Sequence, residues 1–580
     1  MKKTLKYLIL LYFFLVVIKI LIASFIQMSP AFSDDYRYLK MGRSFFYEQN
    51  FNVHDLDYMQ FPPLYSVFIS IAHIFNNSIY VYFFIKVINA LLSSMIIVPA
   101  YLLAREFISE KKSMAIAFII ALLPMSFSYT PYILSENLFY TLFLFAIYFI
   151  YRQIVYNKKI DVILAGVFTG LSMLTRLHGI VILIGLIIIF LLSLYKSKFR
   201  EFNYKILIII AIACFIFLPY GIKFFSSENN IYATEVANSI SRGSILHSLY
   251  PFIIWLITYT GALILSSLII FPFFMLYNKT ENKKLAKLKV LSYSIIIPTL
   301  LIAANHHLRS AKYIYRANDW IFVSGKLIGR YIDFLIPLII ILGFIAFAEY
   351  RRNKLIKKDK KFFVILSILI LVIVIASLHF LPRSLFLPNN PSLTWIGAMK
   401  QLIESLFYGK SLFAVDNSVD PIINSASHIL IPLFLIIFML FIFKFLLKIN
   451  ISRIYFLILI FIILVNLINF SVTYYNAKKW YESPQVKLSL WLNEHDKDKI
   501  SNILIDERYY GGLKRDNQTM LYVDTGASAY TIIGYWLNDN LIIGNVNNLG
   551  NIDYVITRDN KLNFEIIKES ENGIYLYEVR

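Results

Sequence analysis

Three carboxylates in this chain fall where an ion is expensive to hold. Asp34 and Asp35 follow directly on the first apolar segment, and Glu136 sits in Leu134-Ser135-Glu136-Asn137 at one end of a later apolar run. A carboxylate at or below the level of lipid headgroups is costly and tends to be kept for function. Neighbouring residues on a helix point about 100° apart, so Asp34 and Asp35 cannot address one substrate atom in the same way. One base from this pair, with Glu136 approaching from a second helix, is the constellation that could abstract a proton. The plainer alternative is that the Asp pair caps a helix and faces water, and it stays open here. A second set is cationic. Arg176 and His178 end the run 160–175, which is about 24 Å long as a helix, so both are expected below the membrane surface. The segment 305–330 holds His306, His307, Arg309, Lys312, Arg316, Lys326 and Arg330 against a single acid, Asp319. Guanidinium and ammonium groups beside apolar helices suit a phosphate carried on a lipid. A solvated basic loop is the alternative.

The elements that must position these groups are membrane helices. Only 16% of the 580 residues are charged and 58% are hydrophobic, against about 25% charged in soluble domains, and the mean hydropathy is +0.65. The net charge of +21 is distributed in short clusters between apolar runs. Anionic lipid headgroups explain that better than nucleic acid, for which no binding motif is present. The single cysteine, Cys214, excludes an intrachain disulfide and a cysteine-based metal site. No P-loop, GxSxG, HExxH or zinc-type spacing occurs.

The first apolar run, Leu5 to Ile26, is long enough to span about 30 Å of hydrocarbon and lacks a clear cleavage site, so it is read as a retained helix. Twelve more runs follow, at 79–104, 113–130, 133–151, 160–175, 178–195, 205–222, 250–277, 289–304, 331–349, 362–380, 428–447 and 452–474. About 13 transmembrane helices are therefore expected. With the N-terminus cytoplasmic, every inside loop is basic, from Arg105/Lys111/Lys112 to Lys444/Lys448/Arg453. Residues 27–78, 223–249, 305–330, 381–427 and everything after about 475 then fall outside. Residues 64–75 are apolar but too short to span, which suits a re-entrant or interfacial helix. Residues 34–46 carry Tyr38, Met41, Phe45 and Phe46 on one helical face and Arg37, Lys40 and Ser44 on another, as in a helix lying in the interface. The expected division is a transmembrane domain over 1–474, with outer loop 27–78, and a soluble α/β domain over 475–580. That second domain begins with a helix at Pro484–Asn493. Strands are expected at 502–506, 519–523, 541–544, 552–557, 564–568 and 574–579, the last two joined at Asn572-Gly573.

With these pieces in order, the chain resembles the GT-C class of polytopic glycosyltransferases, and within it the protein O-mannosyltransferase and lipid A aminoarabinose transferase group. The resemblance is carried by Ser33-Asp34-Asp35-Tyr36-Arg37-Tyr38, Phe61-Pro62-Pro63-Leu64-Tyr65, Leu134-Ser135-Glu136-Asn137-Leu138-Phe139, Gly170 through Arg176, and Gly329-Arg330-Tyr331 ahead of a helix with Pro337. It covers the first 200 residues well and thins afterwards. The WWDYG motif of oligosaccharyltransferase catalytic subunits is absent. The resemblance implies a mainly α, GT-C-like bundle in the plasma membrane with an extracytoplasmic C-terminal domain. It implies a polyprenyl-phosphate sugar donor and a lipid, glycan or protein acceptor on the outer side. Asp34 would be the general base of an inverting displacement, Asp35 would support its loop, and Glu136 would orient the acceptor or Asp34. Arg176 and Arg330 would bind the lipid phosphate, with His178 and His306 as further neighbours. No cofactor is required; three carboxylates could hold a divalent cation, but their spacing does not demand one. The rival function, a lipid-linked oligosaccharide flippase or transporter, would favour mid-membrane charges and internal repeats, and the sequence displays neither.

Overall fold

The structure is a computed structural model. It describes residues 2–29, 32–53, 56–57, 61–195, 203–226, 245–277, 282–309, 314–317, 320–323, 327–352, 360–380, 389–409, parts of 430–437, 451–495, 501–506, 529–537, 540–547, 549–570 and 573–579. These form two compact units. One comprises Met1–Leu15, Leu92–Ser128 and Glu136–Val472; the other comprises Val16–Leu91, Tyr129–Ser135 and Thr473–Arg580.

The chain is an integral membrane protein. Among the described residues, nine helices are long and apolar enough to cross a bilayer, or ten if Pro251–Ser266 and Ile270–Tyr277 form one span bent by 104°. The expected count of thirteen is not reached. The run 113–130 yields a helix of only 13 residues, Glu110–Leu122, before Pro124, and 160–175 yields one of 17 residues, Lys159–Thr175. The run 428–447 lies mostly outside the described residues.

Within the first unit, the helices are apolar all round because one face meets protein and the other meets lipid. In Lys360–Phe380, Leu366, Ile370, Val374 and Ser377 are buried, while Val364, Ile365, Ile368, Leu369 and Val372 are more than half exposed. Hydrophobicity cannot hold such helices together in a solvent as apolar as they are, so close packing must. Gly166 and Gly170 lie one turn apart on Lys159–Thr175 and face Asn203–Ser226. A Cβ at either would stand 2.7 or 2.8 Å from Cβ of Ile212 or Ile216.

In the second unit, the C-terminal part is an α/β domain. Its sheet runs Asn540–Gly544, Asn502–Asp506, Tyr554–Thr557, Ile574–Glu578, Glu565–Ser570; the first three strands are parallel and the last two join antiparallel. The period of two is visible in Asn502–Asp506. Ile503 and Ile505 face Leu488 and Leu492 of the Pro484–His495 helix, while Leu504 faces Val546 and Val555 on the other side. Gly573, at φ +64°, closes the last hairpin as expected, with its N–H donating to the Ser570 carbonyl. Asn572 and the expected strand 519–523 lie outside the described residues. The helix Ala529–Trp536 was not anticipated from the sequence.

The same unit contains the helix Phe32–Glu48, the short helix Leu64–Ser70 with its continuation Ile71–Ile74, and the start of Ser78–Ser94. The expected polar face of Phe32–Glu48 is not a solvent face. Lys40 and Ser44 are buried at 5% and 4% exposure, and the Lys40 ammonium donates to the Leu537 carbonyl.

Candidate functional site

Each unit contributes one cluster. In the first unit, Glu136 opens the helix Glu136–Tyr156, where a carboxylate complements the unpaired N–H groups of the helix start. Its side chain is fully buried. Arg176 Nη1 donates to Glu136 Oε1 at 2.6 Å and Arg330 Nη1 donates to the same oxygen at 3.3 Å. Two guanidinium groups thus converge on one carboxylate at the ends of apolar helices. Both remain about one-tenth exposed.

Local sequence explains how each arginine gets there. Arg176 ends Lys159–Thr175 in extended conformation (φ −156°, ψ 134°), which turns its side chain off the helix axis. Arg330 sits in a turn, Gly329–Tyr331, whose start is tied by Asn390. The Gly329 N–H donates to Asn390 Oδ1 at 2.9 Å, and Asn390 Nδ2 donates to the Leu327 carbonyl at 2.8 Å. The Arg330 N–H donates to the Asn389 carbonyl at 3.1 Å. A Cβ on Gly329 would stand 2.8 Å from Asn390 Oδ1, so only glycine fits.

The two histidines join this cluster through Tyr331. The His178 ring stacks on Tyr331 at 4.7 Å, and the Tyr331 hydroxyl and His306 Nε2 share a hydrogen bond of 3.0 Å. All four side chains expected around a phosphate therefore lie in one unit with Glu136. The side chains of His307, Arg309, Lys312, Arg316 and Lys326 lie outside the described residues. Sequence reasoning missed Tyr331, Asn390 and Asp333. Asp333 is buried (1%) within electrostatic reach of Glu136, Arg176 and Arg330, and its Oδ2 has no hydrogen-bond partner among the described residues. An acid three residues beyond Arg330 was the available signal.

In the second unit, the acidic pair divides as the helical geometry requires. Asp35 is fully buried; its Oδ2 accepts from the Ile133 N–H at 3.1 Å and from the Ser29 hydroxyl. Asp34 keeps partial exposure. The segment Tyr129–Ser135, which receives Asp35, is pinned by further buried bonds. Asn89 Nδ2 donates to the Thr130 and Tyr132 carbonyls at 3.1 and 2.8 Å, the Tyr82 hydroxyl to the Pro131 carbonyl at 2.7 Å, and the Tyr38 hydroxyl to Ser135 Oγ at 3.0 Å. Burial foremost, and then the Asp35 charge, push the Tyr132 phenol above its ordinary value, so it stays neutral. Among the described residues, no three His, Cys, Asp or Glu side chains cluster so as to hold a metal ion.

The chain is similar over 99% of its length, and 98% of the other, to the crystal structure of ArnT from Cupriavidus metallidurans bound to undecaprenyl phosphate, with a TM-score of 0.55 at 9% identity. At that identity the likeness is one of fold. Residues 60–222 match the family described as dolichyl-phosphate-mannose-protein mannosyltransferase. The apo state of the same ArnT gives a TM-score of 0.49 at 11% identity over 98% and 97% of the two chains. The apo oligosaccharyltransferase of Archaeoglobus fulgidus gives 0.41 at 12% over 94% of this chain and 69% of that one. No curated protein matches the chain.

Proposed function

We propose that this protein is a membrane glycosyltransferase that moves a sugar from a polyprenyl-phosphate donor to an acceptor on the outer side of the membrane. The observation that carries the reading is the convergence of Arg176 and Arg330 on buried Glu136. Two permanent cations converging on one carboxylate form a fork whose planar guanidinium groups suit a phosphate. Glu136 fixes the fork; Tyr331, between His178 and His306, lines its approach.

In the proposed step, Asp34 accepts the proton of the acceptor hydroxyl. The acceptor oxygen forms a bond to the anomeric carbon from the face opposite the phosphate, inverting it. The carbon–oxygen bond to phosphate breaks, and its electron pair leaves on the polyprenyl phosphate, where Arg176 and Arg330 stabilise the added charge. An ionised Asp is a weak base, so positioning supplies much of the rate. Buried Asp35 ties the helix that carries Asp34 to Tyr129–Ser135. The ArnT neighbour carries undecaprenyl phosphate in its crystal structure, which agrees with a lipid-phosphate ligand here.

The test is incubation of the purified chain with radiolabelled polyprenyl-phosphate sugars and a membrane extract. Label moving into lipid, glycan or protein supports the reading. Label that stays on the donor, while donor crosses vesicle membranes faster, supports a flippase instead.

A further inference from the structure

A second polar site lies in the other unit, and the transfer chemistry makes no use of it. Phe32–Glu48 supplies Lys40 and Arg43, the turn Ile71–Ile74 supplies His73, Ser78 opens the next helix, and Tyr535 and Trp536 come from Ala529–Trp536. Together with Tyr82 they line a shallow cleft that is open on one side. Its enclosed part admits a group about the size of one water or hydroxyl.

Three observations define what fits. First, two cations and an imidazole converge on the cleft. Second, His73 is 4% exposed and donates to the Leu39 carbonyl, while its Nε2 has no hydrogen-bond partner among the described residues. Burial, with the Lys40 and Arg43 charges behind it, pushes His73 down to about 3, so Nε2 carries a lone pair at neutral pH and calls for a hydroxyl donor. Third, the cleft lies at the end of an apolar helix long enough to span a membrane. Ser78, on its lip, is the first residue of the membrane span Ser78–Arg105. The helix that buries His73 also exposes Phe68 (40%), Ile71 (59%) and Ile74 (66%) on its opposite face, the pattern of a helix resting in lipid.

We propose that the cleft lined by Lys40, Arg43 and His73 binds the headgroup of an anionic phospholipid. The phosphodiester lies against Lys40 and Arg43, and a headgroup hydroxyl donates to His73 Nε2. This proposal does not depend on the reading of the Arg176/Arg330 fork.

The test uses the full chain in detergent, titrated with phosphatidylglycerol, phosphatidylcholine or inorganic phosphate, with binding followed by native mass spectrometry and thermal unfolding. Phosphatidylglycerol should bind and raise the melting temperature, and phosphatidylcholine should not. Arg43→Gln should weaken phosphatidylglycerol about tenfold, as loss of a charge-assisted contact does. His73→Asn keeps a donor for the Leu39 carbonyl, removes the inward nitrogen, and should weaken phosphatidylglycerol similarly. Arg176→Gln should leave this binding intact. Equal binding of phosphatidylglycerol and phosphatidylcholine, or unchanged affinity in both cleft variants, overturns the proposal. Saturation by inorganic phosphate with no effect of the lipid assigns the cleft to a soluble anion instead and overturns the lipid assignment.

Discussion

Replacing Glu136 by Gln should separate the two jobs of the arginine fork. The substitution preserves shape and the hydrogen-bond acceptor but removes the negative charge paired directly with Arg176 and Arg330 at 2.6 and 3.3 Å. Breaking a buried ion pair by removing one partner costs about 3–5 kcal/mol. The arginines are about one-tenth exposed and water reaches their edges, so we expect the lower end, about 3 kcal/mol, roughly two decades in the unfolding equilibrium. A lipid phosphate entering the fork would restore the missing charge. Undecaprenyl phosphate should therefore raise the melting temperature of Glu136→Gln more than that of the native chain, because ligand stabilisation grows with affinity. The assay is thermal unfolding in detergent with undecaprenyl phosphate and, as control, undecaprenol. A Glu136→Gln protein as stable as the native chain would refute the shared-carboxylate account. Equal stabilisation of the two proteins by the phosphate lipid would refute the phosphate role.

Other consequences follow from the same geometry. Gly329→Ala places a Cβ 2.8 Å from Asn390 Oδ1; it should cost about 1–3 kcal/mol and shift Arg330, so donor affinity falls along with the melting temperature. His73 gives a pH signature. Unfolded, it binds a proton below about 6.5; folded, burial holds it down to about 3. Between these values the unfolded chain holds more protons, so stability falls with falling pH at up to about 1.4 kcal/mol per unit. Denaturant midpoints of native chain and His73→Asn, compared from pH 7 to pH 4, should show the native chain losing more. For orientation, Asn563 is exposed in the C-terminal domain. A cysteine there, in a Cys214→Ala background, should react with an impermeant thiol reagent in intact cells, and labelling only after lysis would invert the topology.

Membranes make polar residues conspicuous, and Glu136, Arg176 and Arg330 stand out in the sequence at the ends of apolar runs. The sequence alone sets Glu136 with Asp34 and Asp35 as a proton-handling group and the arginines apart from it at a lipid phosphate. Their convergence on one oxygen was not legible, since it joins residues up to 194 apart in sequence and no periodicity encodes a long-range pair. Asn390 escaped for the same reason; its value lies in two backbone bonds to Gly329 and Leu327. The break between Pro251–Ser266 and Ile270–Tyr277 carries no glycine or proline at its hinge. Leu268 and Ile269 take positive φ values of 61° and 45° there, a conformation that non-glycine residues rarely adopt and that tertiary packing must impose. Lys40 looked like a solvent-facing residue by helical position. It is buried because the distant Leu537 carbonyl supplies its partner.

The central claim is sugar transfer with Asp34 as the base, and one comparison tests it most directly. Native chain and Asp34→Asn are given the same radiolabelled polyprenyl-phosphate sugar and acceptor extract, with donor binding measured in parallel. The amide keeps the shape of the carboxylate but cannot take the acceptor's proton. Turnover should fall by about a hundredfold to ten-thousandfold, with donor affinity near that of the native chain. Transfer by Asp34→Asn at the native rate would contradict the account.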